Sequence, residues 1–236
     1  VQITHGGGRA TQATAVTQPV APSDGVVPGG SEPARALTGT EIEAVVDAFV
    51  AAARRALAAG FDFVEIHGAH GFLLSEFLSP LSNRRSDEYG GDLTCRLRLP
   101  LQVVKAVRQV VDDDHLLLYR LGANDYMPGG LTEAEGRQAA RALATAGVDL
   151  LDISGGLNGP ELPGWDKTSQ GYYVPMAAAI RTEVDVPVVV AGGITDPHFA
   201  NQVVGAGPVD LVAIGRAMLA NPDWVVEARA ALLGKR

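Results

Sequence analysis

The sequence predicts a (β/α)8 TIM barrel, with about six of the eight strands present in this chain. Three observations carry that expectation. First, "AAGFDFVEIHG" (58–68), "TAGVDLLDISG" (145–155) and "GAGPVDLVAIG" (205–215) share one plan: a helix end, a Gly, an Asp, then an apolar run. Second, helical periodicity fills the intervals between such runs. That strand–helix alternation is the signature of a parallel sheet with outer helices. Third, the runs are short and mostly apolar at every position, as strands buried on both faces must be. A doubly wound open sheet is the alternative fold, but no G-x-G-x-x-G follows the first strand.

The elements follow in order. A first strand occupies 1–5. Residues 6–36 are rich in Gly, Ala, Thr and Pro without periodicity. So long a connection after a strand reads as a functional loop on the catalytic face. Thr38 and Glu41 form a capping-box pattern, and Ile42, Val45, Val46, Phe49, Ala53 and Leu57 repeat at helical spacing. Gly60 closes that helix in the left-handed conformation, and Asp62 opens a strand at 62–67. Residues 93–111 are helical, with Pro100 kinking or delaying the start. A strand at 116–121 precedes a second capping box, Thr132 and Glu135, and a helix ending near Ala146. Gly147 and Asp149 repeat the junction into a strand at 149–154. A helix at 174–184, a strand at 187–192 and a helix at 197–205 follow. Gly207 and Asp210 lead into a strand at 210–215, and a last helix covers 222–233. A complete barrel needs eight strands and about 250 residues. The chain also starts inside an apolar segment, "VQITHGGG", with no initiator Met. Residues 1–236 are therefore expected to be one barrel domain lacking its first two strands.

Composition narrows the function classes. The chain has 236 residues, 47% of them hydrophobic, enough for one large core. Its net charge is −8 and no Lys/Arg cluster occurs, which argues against a nucleic-acid partner. No apolar run approaches a membrane span and no signal peptide opens the chain, so a cytoplasmic location is expected. The single cysteine, Cys95, excludes an internal disulfide and any Cys-only metal or iron–sulfur site. The sequence leaves a homo-oligomer open.

Barrel enzymes place their chemistry at strand ends. Those ends carry His5, His67 with His70, Arg120, Ser154-Gly155-Gly156, Gly192-Gly193 and Gly215-Arg216. His67 and His70 have a spacing that a metal tolerates, but no Cys or carboxylate pattern completes a site. Together they can present two N–H donors to one oxygen, the geometry that polarises a carbonyl. The plainer reading is a histidine pair hydrogen-bonded within a loop. Arg120 ends an apolar strand, where its charge requires a partner. That partner is a ligand, or else Glu65 or Asp152 on a neighbouring strand. The glycines of "VVVAGGIT" and "VAIGRAML" expose backbone N–H groups where barrels bind phosphate, and Arg216 adds charge. The plainer reading is that they only permit tight turns.

These motifs resemble the old yellow enzyme family of flavin-dependent NAD(P)H oxidoreductases. The matching segments are "QITHGGGR" (2–9), "HGAHGFLLSEFLSPLSNRRSDEYGG" (67–91), "YRLG" (119–122), "AGGIT" (191–195) and "IGRAMLANPDW" (214–224). The second is highly specific; the others are short but occur in the right order. The thermophilic-like ene-reductases and the core of dienoyl-CoA reductases are the nearest branch. The resemblance implies FMN as cofactor and NADH or NADPH as reductant. The implied substrate is an enone or related activated alkene. It further implies cofactor contacts from Gln2, Arg120, Gly192, Gly193, Gly215 and Arg216. His67 and His70 would bind the substrate carbonyl. Phe72 stands where the family commonly has a proton-donating Tyr. "HGGGR" is one residue longer than the common H-x-G-R form, so no role passes to Arg9. A flavin-free phosphate-binding isomerase or aldolase, and a non-catalytic truncated barrel, are the alternatives.

Overall fold

The structure, a computed structural model, describes residues 1–15, 17–159, 164–166 and 169–234. Six strands form one all-parallel sheet: β1 (Gln2–Ile3), β4 (Phe63–Gly68), β5 (Leu116–Gly122), β6 (Leu150–Ser154), β7 (Val188–Val190) and β8 (Leu211–Val212), in that spatial order. These are six strands of a (β/α)8 barrel. The predicted positions hold, but three strands are shorter than expected: those at 1–5, 187–192 and 210–215 keep only two or three paired residues. Their predicted ends turn away from the sheet into loops.

The junction repeat has a physical cause. Gly60, Gly147 and Gly207 have φ of +85°, +105° and +79°, the left-handed turn that closes a helix. The Asp after the latter two ties the new strand to its neighbour. Asp149 Oδ2 accepts from the Leu117 N–H at 2.6 Å, and Asp210 Oδ2 from the Val188 N–H at 2.8 Å.

Both capping boxes form, at the starts of α2 (Gly39–Ala58) and α6 (Glu133–Thr145). Pro100 delays its helix: a short α4 (Leu93–Arg96) ends at Leu97, and α5 (Arg98–Arg108) takes Pro100 into its first turn. The helices α3 (Leu73–Leu78), α7 (Val174–Arg181), α8 (Pro197–Gly205), α9 (Arg216–Ala220) and α10 (Trp224–Leu233) complete the layer. Among the described residues no helix is long and apolar enough to cross a membrane.

Residues 6–36 are not irregular throughout. They hold a 3-10 turn at Gly7–Arg9, a short α1 (Gln12–Ala15), and two strands, β2 (Val20–Ala21) and β3 (Arg35–Ala36), that pair in parallel. Ala21, Val27 and Ala34 make a small core of their own. Two-residue strands are too short to leave a periodicity in the sequence.

Alternate side chains of the sheet meet different surroundings. Val64, Ile66, Leu117, Tyr119, Leu121, Leu151, Ile153, Val188 and Val190 face the helices and are fully buried. The opposite row carries Glu65, His67, Arg120 and Asp152, with His67, Arg120 and Asp152 side by side in register. On that inner face Phe63, Leu116 and Leu211 remain 41–51% exposed. One close approach depends on a missing side chain: a Cβ on Gly68 would overlap the Tyr119 phenol.

Candidate active site

The end of β4 builds the histidine pair. After Gly68 the chain turns sharply, with His70 in the left-handed region at φ 58° and Gly71 at φ 72°. A non-glycine residue there is held by its surroundings. The His70 N–H donates to Gly155 O at 3.0 Å, and the Arg9 guanidinium donates to His70 O at 2.6 Å. The turn folds His70 back over His67, placing Nε2 of His67 3.2 Å from Nδ1 of His70. Nε2 of His70 lies 2.7 Å from Ser154 Oγ at the end of β6. The Phe72 ring stands edge-on to His67 at 4.9 Å.

The expected pair of donors is therefore engaged internally. The Ala69 N–H lies 3.4 Å from Nδ1 of His67. His67, His70 and Ser154 thus form one hydrogen-bonded row whose direction follows the tautomer of each ring. Burial, reinforced by the Arg120 charge, lowers His67 to about 4 and His70 to about 3. Both rings are neutral at pH 7. Among the described residues no cluster of three His, Cys, Asp or Glu side chains gathers to hold a metal.

Arg120 forms the internal ion pair that the sequence offered as the alternative to a ligand contact. Its Nε lies 3.1 Å from Asp152 Oδ2, the alternative partner named from the sequence. The N–H is not aligned for a hydrogen bond, however, and Nε and Asp152 Oδ1 are buried without one. Burial pushes Asp152 up to about 7 although the guanidinium pulls it down. Arg120 and His70 share the wall of a cavity of about 880 Å3, within the usual range for ligand sites.

The other wall comes from the last two strand–helix turns. Gly192, Gly193, Gly215 and Arg216 all line the cavity. The backbone at Gly192 and Gly193 has φ of +147° and +67°. Arg216 Nη2 donates to Tyr172 Oη at 2.8 Å, and Tyr172 also faces the cavity. A Cβ on Gly215 would meet no protein atom within 4 Å, so the space beside it is open.

Not every expected residue reaches this space. Gln2 is exposed, donates to Glu65 Oε2 at 2.5 Å, and is not among the lining residues. His67 and Phe72 stand behind His70 and do not line it either.

Three residues organise the site without having been singled out for it. Arg9 donates to Pro28 O, His70 O and Leu157 O, joining the 6–36 segment to the loops after β4 and β6. Buried Asp125 accepts from Ser79 Oγ (2.6 Å), the Leu131 N–H (2.7 Å) and the Leu157 N–H (2.7 Å). Fully buried Glu76 on α3 accepts the Gly8 N–H at 2.9 Å. Ser154 stood in the predicted polar ring, but its bond to His70 spans 84 positions and has no local signal.

Comparison with known proteins agrees with this geometry. A profile of the NADH:flavin oxidoreductase / NADH oxidase family matches residues 1–233. An NADH oxidase of Thermoanaerobacter brockii is 40% identical over 235 residues, covering 97% of this chain and 36% of that protein. An NADPH dehydrogenase of a Geobacillus species is 44% identical over 188 residues, covering 80% of this chain and 54% of that protein. The solved structure of an old yellow enzyme homologue from Zymomonas mobilis superposes with a TM-score of 0.79 at 29% identity, covering 99% of this chain and 66% of that one. The chain thus spans about a third to two thirds of the length of these relatives. The matched range, the two curated relatives and the barrel at once show that the chain belongs to the NADH:flavin oxidoreductase / NADH oxidase family.

Proposed function

We propose that this chain forms the FMN- and substrate-binding part of an oxidoreductase that passes hydride from NADH or NADPH to an activated alkene, an α,β-unsaturated carbonyl. One observation carries the proposal: His70 and Arg120, an uncharged imidazole and a cation, face one cavity of flavin-accommodating size. The residues present fit FMN. Arg120 lines the cavity as a cation, and the space beside Gly215 on the opposite wall is open. Arg120 would hold the electron-rich edge of the ring. The turns Gly192-Gly193 and Gly215-Arg216 would hold the phosphate. Gln2 has only the motif in its favour, because its amide is occupied by Glu65. When bound, FMN supplies the two-electron carrier between the nicotinamide and the alkene.

The protein's own groups do the rest. His70, the member of the pair that faces the cavity, would offer an N–H to a carbonyl oxygen, which draws electron density away from the β-carbon. Arg120 brings positive charge to a site where negative charge develops. Phe72 has no proton to give, so the α-carbon proton comes from another group, with Tyr172 at the cavity wall as candidate. A cytoplasmic setting would supply the nicotinamide. A flavin-free aldolase gains nothing: among the described residues no lysine lines the cavity.

The test is an FMN titration of the purified protein, followed by flavin fluorescence, with Arg120→Met alongside. We expect binding by the wild type and at least tenfold weaker binding by the variant, with unchanged circular dichroism. No binding by the wild type, or equal binding by both, overturns the assignment.

A further inference from the structure

We infer that Asp152 is a positioning residue that holds Arg120 from behind, and that it takes up a proton from solvent when negative charge arrives on the cavity side of Arg120. The inference rests on the proposed function, because the charge it concerns is that of a reduced flavin in the same cavity.

The placement comes from the sheet. Arg120 on β5 and Asp152 on β6 are partners in register on the inner row. Arg120 lines the cavity and Asp152 does not. The carboxyl therefore meets the guanidinium from outside the cavity, with Oδ2 3.1 Å from Nε.

Asp152 is bonded unlike the other buried carboxylates of the barrel. Asp125 accepts from one hydroxyl and two backbone N–H groups at 2.6–2.7 Å, and Glu76 accepts the Gly8 N–H. Asp152 has the Arg120 charge, but that N–H is out of line, and Oδ1 is buried with no hydrogen-bond partner. The neighbouring strands add no donor. On β7 its partner in register is Val189. On β4, Glu65 acts as a like charge, and on β1 Gln2 is bonded to Glu65. His67, beyond Arg120 on β4, is uncharged at pH 7.

The ionised carboxylate is thus held by one charge and little else, and such a buried pair is closely balanced. Burial raises Asp152, Arg120 opposes it, and the group rests at about 7. Negative charge on the other side of Arg120 upsets that balance twice over. It neutralises the cation, and it repels the carboxylate. Both effects raise Asp152 further, and it binds a proton that it had released.

Reduction of bound flavin supplies that charge. A hydride from NADH or NADPH, two electrons and one proton, leaves the ring anionic. A second proton passes from solvent to Asp152, where one O–H bond forms and no other bond changes. Arg120 changes partner, from carboxylate to ring, and the carboxyl is left neutral.

The experiment reads the potential. The reduction potential of the FMN-loaded protein is measured from pH 7 to 9 beside Asp152→Asn, which keeps an oxygen for Arg120 and cannot ionise. Each proton taken up with the two electrons changes the equilibrium tenfold per pH unit, about 30 mV. The reduced state binds more protons, so the potential falls as pH rises. We expect the wild type to approach a hundredfold change per pH unit, about 60 mV, and the variant to stay near tenfold, about 30 mV. Infrared difference spectra of the wild type on reduction at pH 8 should gain the C=O stretch of a protonated carboxyl. That band should shift with 13C-labelled aspartate and be missing from the variant. Equal slopes in the two proteins, or a wild type without the band, overturn the role of Asp152 and leave the proposed function standing. If Asp152→Asn does not fold, the wild-type slope and band decide: a tenfold slope or a missing band overturns the inference. A wild type that takes up no FMN overturns the proposed function, and the inference falls with it.

Discussion

Glu76 provides a stability test whose sign is unusual for a carboxylate. It lies at 0% exposure, and burial pushes it up to about 8 despite the Gly8 N–H and the nearby Arg9 charge. In the unfolded chain it titrates near 4.5. Between those values the folded state holds a proton that the unfolded state has released, so the contribution of Glu76 is fully present below 4.5 and is lost as pH rises towards 8. The slope is about 1.4 kcal/mol per pH unit, which amounts to about 3 kcal/mol between pH 5 and 7.5. Glu76→Gln keeps an oxygen for the Gly8 N–H and does not titrate. The stability gap between variant and wild type should therefore grow in favour of the variant by about 3 kcal/mol over that range. With a urea m-value of about 2–3 kcal/mol/M, the midpoints separate by about 1–1.5 M. The histidines act oppositely: their depressed values give stability present above 6.5 and lost as pH falls towards about 4 and 3. They are common to both proteins and cancel in the difference. Urea curves at pH 5, 6, 7 and 7.5 whose midpoints move in parallel would refute the buried, protonated Glu76.

Three further outcomes are expected. Gly68→Ala should cost about 1–3 kcal/mol in urea unfolding, because the new Cβ overlaps the Tyr119 ring, and adding Tyr119→Phe should recover only part of it. Arg9→Lys, which replaces a planar fork by a point charge, should weaken enone binding about tenfold through the His70 turn while FMN titration stays unchanged. Phe72→Tyr should not bring the roughly 10²–10⁴-fold gain of a positioned general acid, because the ring stands behind His70 and does not line the cavity. A stopped-flow acceleration of that size would show that this side chain does face the α-carbon.

Much of the barrel was legible because its signals are local. A Gly that needs φ of +79° to +105° and an Asp that bonds the neighbouring strand lie within a few residues of each other, and the pattern recurs. Capping boxes span four residues and form as read. The site was legible by position but not by partner. That His67, His70 and Arg120 cluster follows from their being at strand ends. That His70 leans on Ser154, and Arg9 on three carbonyls, depends on contacts 19 to 148 positions apart, which no spacing encodes. The β2–β3 pair was missed for the opposite reason: its strands are too short to repeat anything.

Barrel enzymes diversify by exchanging the loops above a constant frame. Here the loops are not independent modules. Arg9 is bonded to carbonyls in three segments at once, and Asp125 collects donors from the loops after β5 and β6 and from the turn after α3. Replacing any one of these segments strands a half-buried guanidinium or a buried carboxylate whose partners belong to the others. A graft onto this frame has to carry residues 6–36, 69–83, 123–131 and 155–159 together, as one inherited block.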